Sequence, residues 1–163
     1  MTNAASALPV LRLLARQDRR LRAGRPWAYA NEIDLDAARA LAPGTIVNLE
    51  AANGDRLGTA SFNRHSLIAA RLYSRLPNTK LDQGFFAAAL RRALVLRERF
   101  FSAPFYRLVH AEGDGLPGFV VDRHDGVLAV QANTAGAERL LPEMVAALTE
   151  TLAPSAVVLR HDS

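Results

Sequence analysis

Apolar residues along this chain change period repeatedly, and those changes mark out its elements. Residues 10–16 (VLRLLAR) alternate loosely and predict a first strand. Residues 17–23 then gather Arg19, Arg20 and Arg22 around Leu21, as a short helix would. Gly24 is a stop signal for that helix, and Pro26 keeps it from continuing. Strand patterns follow at 45–50, 56–62 and 67–73, the first two joined by Ala52-Asn53-Gly54-Asp55, whose Asn-Gly pair is a hairpin signal. Together these predict a small mixed β-barrel of five or six short strands plus one helix. Pro77 and Asn78 break the periodicity within 76–80, which places a boundary between a first domain at 9–76 and a second at 81–163.

The second domain opens with Asp82 as an N-cap, and residues 83–101 follow at helical spacing. Their apolar stripe runs through Phe85, Phe86, Ala89, Leu90, Ala93, Leu94, Leu96, Arg97 and Phe100. Arg91, Arg92, Glu98 and Arg99 are left to solvent. Three short apolar runs occupy 106–131 (YRLVHAEGDGLPGFVVDRHDGVLAVQ). Asp125-Gly126 predicts a tight hairpin with positive φ at both central residues. The longer turn at 112–118 holds two acids and three glycines, with Pro117 fixing one φ. Such a loop suits a phosphate cradle or a catalytic element, and it suits a solvated strand connection better. A second helix spans about 136–152, with Leu140, Val145, Leu148 and Leu152 on its apolar side. Its regular part should begin near Pro142, because proline is poorly tolerated in a helix interior. Pro154 ends it, and 156–159 form a last strand. The fold class is α+β: a barrel, then a partial layer of helix, antiparallel strands, helix and strand.

Charge sharpens this picture. Residues 1–75 carry eleven arginines against six carboxylates, a net of +5, whereas 76–163 are nearly neutral at −1. Six arginines and one acid fall within 12–25. Such a cluster can grip phosphate oxygens through the planar guanidinium fork, and it can equally be a solvated face. Trp27 and Tyr29 follow at strand spacing, which would place both rings on one face, with Trp27 the better candidate for core packing. The chain of 163 residues has no cysteine, which excludes disulfides and thiolate chemistry. It has no apolar run of the roughly 20 residues that span a bilayer and no basic-then-apolar leader, so no membrane role and a cytoplasmic location are expected.

Two segments resemble one family. H-A-E-G-D-G-L-P-G-F-V-V-D-R, residues 110–123, is similar to the central-region signature of the RlmI-like class I methyltransferases. G-R-P-W-A-Y-A-N-E-I, residues 24–33, resembles their N-terminal motif, with Arg25 where a histidine is usual. Further departures are Gly113, His124 and Arg64, the last replacing a proline in an Asn-Pro-x-Ser-like turn. The resemblance covers essentially 10–163 and the first two of three family domains. It implies an N-terminal PUA domain, a barrel that binds structured RNA, and methylation of a large-subunit rRNA cytosine with S-adenosylmethionine. The cofactor loop and catalytic cysteines would lie in a third domain, so this chain itself is expected to hold no cofactor. The expected partner is structured RNA, 23S rRNA in particular, with a homodimer possible. RNA contacts are expected from Arg16, Arg19, Arg20, Arg22, Arg25 and Arg71, with Tyr29 as a stacking ring.

Other chemistries are poorly supported. His65, His110, His124 and His161 lack metal-ligand spacing, and the pairs His124-Asp125 and His161-Asp162 would point to opposite faces of a strand. Asp114 and Asp122 fit turn capping better than paired catalysis. The leading expectation is the RNA-recognition portion of an rRNA cytosine-5 methyltransferase without its Rossmann-like domain. The alternatives are a stand-alone PUA-type RNA-binding module, and a second half serving only as scaffold or dimer contact. An incomplete second domain should leave backbone groups or apolar surface exposed at its last strand.

Overall fold

The computed structural model describes residues 7–160. His161 and Asp162 lie outside them. The chain is α+β and divides into two compact units between Thr79 and Lys80.

The first unit is one curled sheet of five strands: β1 (Val10–Arg12), β2 (Trp27–Tyr29), β3 (Thr45–Glu50), β4 (Arg56–Phe62) and β5 (Ile68–Ser74). Their order is β1-β3-β4-β5-β2, with β1 parallel to β3 and the other pairs antiparallel. The two edges meet at a Leu13–Ile33 bridge. Leu14 N–H donates to the Glu32 carbonyl at 2.9 Å, and Asp34 N–H donates to the Arg12 carbonyl at 3.0 Å. A strip of sheet thereby becomes a barrel, which removes two open edges. Leu11, Leu13, Leu21, Val47, Leu49 and Phe62 fill it. Curvature comes partly from Gly58, at φ 143° beside a register shift between Thr59 and Ala60. A Cβ there would collide with the Ser74 carbonyl oxygen.

The arginine-rich segment forms a helix shorter than the sequence suggests, α1 (Arg19–Arg22), and the first strand stops at Arg12. Four residues cannot hold a helix through their own hydrogen bonds. Leu21 anchors it in the core, and Arg75 secures its end. Arg75 donates to the carbonyls of Leu21 (2.6 Å), Gly24 (2.7 Å) and Arg25 (3.2 Å), tying the last turn of the helix and the chain that leaves it to one guanidinium.

The second unit holds α2 (Gln83–Phe100), β6 (Phe105–His110), β7 (Phe119–His124), β8 (Val127–Ala132), α3 (Ala135–Leu152) and β9 (Ala156–Arg160). The strands β6-β7-β8 form an antiparallel meander, and β9 returns parallel to β8 after α3. Phe86 meets Phe119 edge-on at 5.7 Å within a core that includes Leu90, Leu108, Val121, Leu128 and Met144. Asp82 caps α2 by accepting the Phe85 N–H at 3.1 Å.

Several expectations for this unit are corrected. Phe100 is 75% exposed, since α2 outruns the sheet that covers its start; Leu96 is exposed as well. The second helix spans Ala135–Leu152, within a residue of the expected 136–152, and is regular from its start rather than from near Pro142, because Thr134 caps it by accepting the Ala137 N–H at 3.1 Å. Pro142 sits on the exposed side of the helix, which runs through it. At the Asp125-Gly126 hairpin only Asp125 is left-handed, at φ 57°. The connection at 111–118 is less solvated than expected. It begins as a short 3-10 turn, and the largely buried Asp114 accepts from the Arg97 guanidinium (2.6 Å) and the His110 N–H (2.7 Å). Arg97 therefore belongs to a buried ion pair that the helical spacing alone had placed in an apolar stripe. The last strand, β9, is an edge strand with Val158 and Leu159 exposed.

Three outcomes are expected from urea unfolding. Gly58→Ala should cost about 1–3 kcal/mol, since a left-handed φ and a backbone clash coincide. Arg97→Ala should cost about 3 kcal/mol by leaving the Asp114 carboxylate buried without its cation. Arg75→Ala should cost about 1 kcal/mol and loosen α1 without disturbing the sheet.

Candidate nucleic-acid interface

The short helix α1 and the turn after β2 lie beside each other at the barrel seam. Between them is an open cleft of about 300 Å³ lined by Arg16, Gln17, Arg19, Arg20, Tyr29, Asn31 and Glu32. That volume sits at the lower end of the ~300–1,000 Å³ found for small-ligand sites. Arg16, Arg19 and Arg20 are exposed, and no acidic side chain pairs with them among the described residues. Arg16 has φ 67°, a conformation that bulky residues seldom hold and that recurs at ligand clamps.

Beneath the cleft lies a buried bracket. Arg25 Nη2 donates to both Glu32 carboxylate oxygens, at 2.6 and 2.9 Å, with 15% and 7% of the two side chains exposed. Glu32 Oε2 also accepts the Tyr29 N–H at 2.8 Å. The Arg25 guanidinium carbon lies 5.1 Å from the centroid of the Tyr29 ring, within cation–π range. One carboxylate thus fixes an arginine, the arginine backs a tyrosine, and the tyrosine forms part of the cleft wall.

The structure brings four of the seven expected residues together: Arg16, Arg19, Arg20 and Tyr29. It separates the other three. Arg25 is occupied by Glu32 and does not line the cleft. Arg22 turns away, bridging Asp18 and, at 2.6 Å, Asp55. Its guanidinium holds both carboxyls below the usual aspartate range, with Asn53 the larger cause at Asp55. Arg71 lies in β5 opposite Trp27 and Ser61, off the cleft. Trp27 does not share the cleft with Tyr29 either. The alternation itself holds along β2, with Ala28 buried between the half-buried Trp27 and Tyr29, but only the tyrosine lines the cleft. Gln17, Asn31 and Glu32 went unnoticed in the sequence. Glu32 stands three residues after the residue whose N–H it accepts, the second half of a capping box, but a tyrosine occupies the first position where serine or threonine would announce it.

No group of three or more His, Asp or Glu fit to hold a metal occurs among the described residues. The glycine-rich loop before β7 also lacks the setting of a dinucleotide loop. The spacing Gly113, Gly115, Gly118 has the form G-x-G-x-x-G but connects antiparallel strands, where a dinucleotide loop needs a strand-to-helix turn. The space at Gly118 is taken by the Thr134 side chain, 2.9 Å from a would-be Cβ at its methyl. Among the described residues, no helix is long and apolar enough to cross a membrane.

Comparison with known proteins agrees with this geometry. Residues 11–75 match the PUA-like domain. Curated proteins described as ribosomal RNA large subunit methyltransferase I align with nearly all of the chain. The Alteromonas mediterranea protein is 33% identical over 90% of this chain and 37% of its own length. The Pseudoalteromonas translucida protein is 35% identical over 92% and 38%. Among solved structures, a candidate SAM-dependent methyltransferase from Streptococcus mutans superposes with a TM-score of 0.78 at 18% identity, covering 94% of this chain and 41% of that one. The match to SMU.776, a methyltransferase candidate solved with SAH, has the same TM-score and identity. The chain spans under two-fifths of the length of these curated relatives. Joined to the cleft and the barrel that carries it, these likenesses show a PUA-like domain in the first unit and a resemblance, along nearly all of the chain, to the RlmI-like ribosomal RNA large subunit methyltransferases.

Proposed function

We propose that this chain is the RNA-recognition portion of an S-adenosylmethionine-dependent methyltransferase acting on cytosine C5 of large-subunit (23S) rRNA in the cytoplasm. The observation that carries the reading is the convergence of Arg16, Arg19 and Arg20 on one cleft of the PUA-like unit. Guanidinium groups without a carboxylate partner are available to phosphate oxygens, and neutralising phosphates releases counterions. Arg22, Arg25 and Arg71 take no direct part in this reading, because the first two are committed to internal carboxylates and the third lies off the cleft.

The first unit would hold the RNA, and the second would link it to catalytic machinery beyond the described residues. S-adenosylmethionine, when bound elsewhere in the full enzyme, would supply the methyl group. The residues described here act by gripping and orienting the substrate.

The test is the salt dependence of binding to a large-subunit rRNA fragment. Wild-type affinity should fall steeply with salt. The double variant Arg19→Ala, Arg20→Ala should flatten the logarithmic slope by about 1.5, two phosphate contacts at roughly 0.7–0.9 each. An unchanged slope in the double variant removes the assignment.

A further inference from the structure

The cleft has two kinds of wall, and together they specify more than a polyanion. Arg16, Arg19 and Arg20 supply cations on the α1 side. On the other side stand an aromatic ring, Tyr29, and the exposed side-chain amide of Asn31, with the half-buried amide of Gln17 nearby. A duplex backbone would use the cations alone. A ring held in place beside two amides is what an unstacked base requires, a flat surface to lie on and groups that can both donate to and accept from its edge.

We propose that this cleft takes a single unpaired nucleotide of RNA, its base stacked on Tyr29 and its phosphates on the arginines, and that Arg25 acts as a positioning residue for the ring. The inference rests on the RNA-binding reading above and deepens it. Tyr29 lines the cleft and Arg25 does not, so the base meets the part of the ring that Arg25 leaves uncovered. Arg25 is fixed in turn by its two bonds to Glu32, and Tyr29 is tied to the same carboxylate through its N–H. The ring is therefore ordered before the base arrives, which lowers the entropy cost of binding. Asn31 and Gln17 reach the base edge, where an amide can pair with complementary donor and acceptor atoms.

Two probes of equal length separate base from backbone: a single-stranded homopolymeric RNA and its fully abasic phosphodiester counterpart. The wild-type chain should prefer the RNA by about tenfold, the size of one stacked base. Tyr29→Leu should collapse that preference to about onefold while leaving the salt slope of the abasic probe unchanged. Tyr29→Phe, which keeps the ring, should restore it. Arg25→Gln should shrink the preference and leave the slope, which a lost phosphate contact would not do. Arg19→Ala with Arg20→Ala should change the slope and keep the preference. Circular dichroism melts confirm that each variant is folded, and the wild-type comparison of the two probes decides the matter should the Leu or Gln variant unfold. Equal wild-type affinity for the two probes, or a Tyr29→Leu preference equal to wild type, overturns the single-nucleotide assignment while the polyanion reading stands. Failure of the wild type to bind either probe at low salt removes both.

Discussion

The Glu32 carboxylate is the constraint on which the first unit turns. A nearly buried anion is tolerable only when its charge and its lone pairs are matched. Arg25 supplies the charge through both oxygens, and the Tyr29 N–H supplies a further bond. The same residue's main-chain carbonyl accepts the Leu14 N–H that helps close the barrel. One residue therefore satisfies an electrostatic requirement, orders an aromatic ring and joins the two edges of a sheet. The cleft lies at that seam, where strand alternation gives way to turns and side chains from separate elements converge.

The second unit uses the same device at a different place. Arg97 and Asp114 pair where the end of α2 crosses the β6–β7 connection, and Asp114 also accepts the His110 N–H. In both units a guanidinium and a carboxylate pin an irregular segment that hydrophobic burial cannot specify. The contrast is in what surrounds them. Near Glu32 three further arginines remain without acidic partners among the described residues, whereas on the second unit's sheet Arg107 pairs with Asp122. Arg107 holds the Asp122 carboxyl below its ordinary range.

Strand and helix periods were legible because burial imposes them locally. The patterns at 45–50 and 56–62 coincide with β3 and β4, and Asp82 and Leu21 take the roles their neighbours suggest. What escaped was whatever depended on a partner far along the chain. Arg75 reads as one more basic residue until it meets the carbonyls of Leu21, Gly24 and Arg25, some fifty residues earlier. Arg22 and Arg25 read as phosphate ligands because charge density is visible in sequence and charge pairing is not. Asp55 claims Arg22 from 33 residues away and Glu32 claims Arg25 across the β2 turn, whereas the i,i+4 pairing of Asp18 with Arg22 was within reach of a helical reading. The bounds of the long helices were legible to within a residue, as with 136–152 against Ala135–Leu152, and only the expected irregularity before Pro142 failed, because a proline is a louder signal than the Thr134 cap.

Gly118 and Thr134 carry a consequence for descent. The threonine side chain that caps α3 occupies the volume where a side chain at 118 would stand, with Ala137 also within 3.1 Å. The β6–β7 loop and the start of α3 are therefore one inheritable unit. A lineage that acquired a side chain at 118 would have to give up the bulk at 134, and with it the cap, so the two positions are free to drift only as a pair.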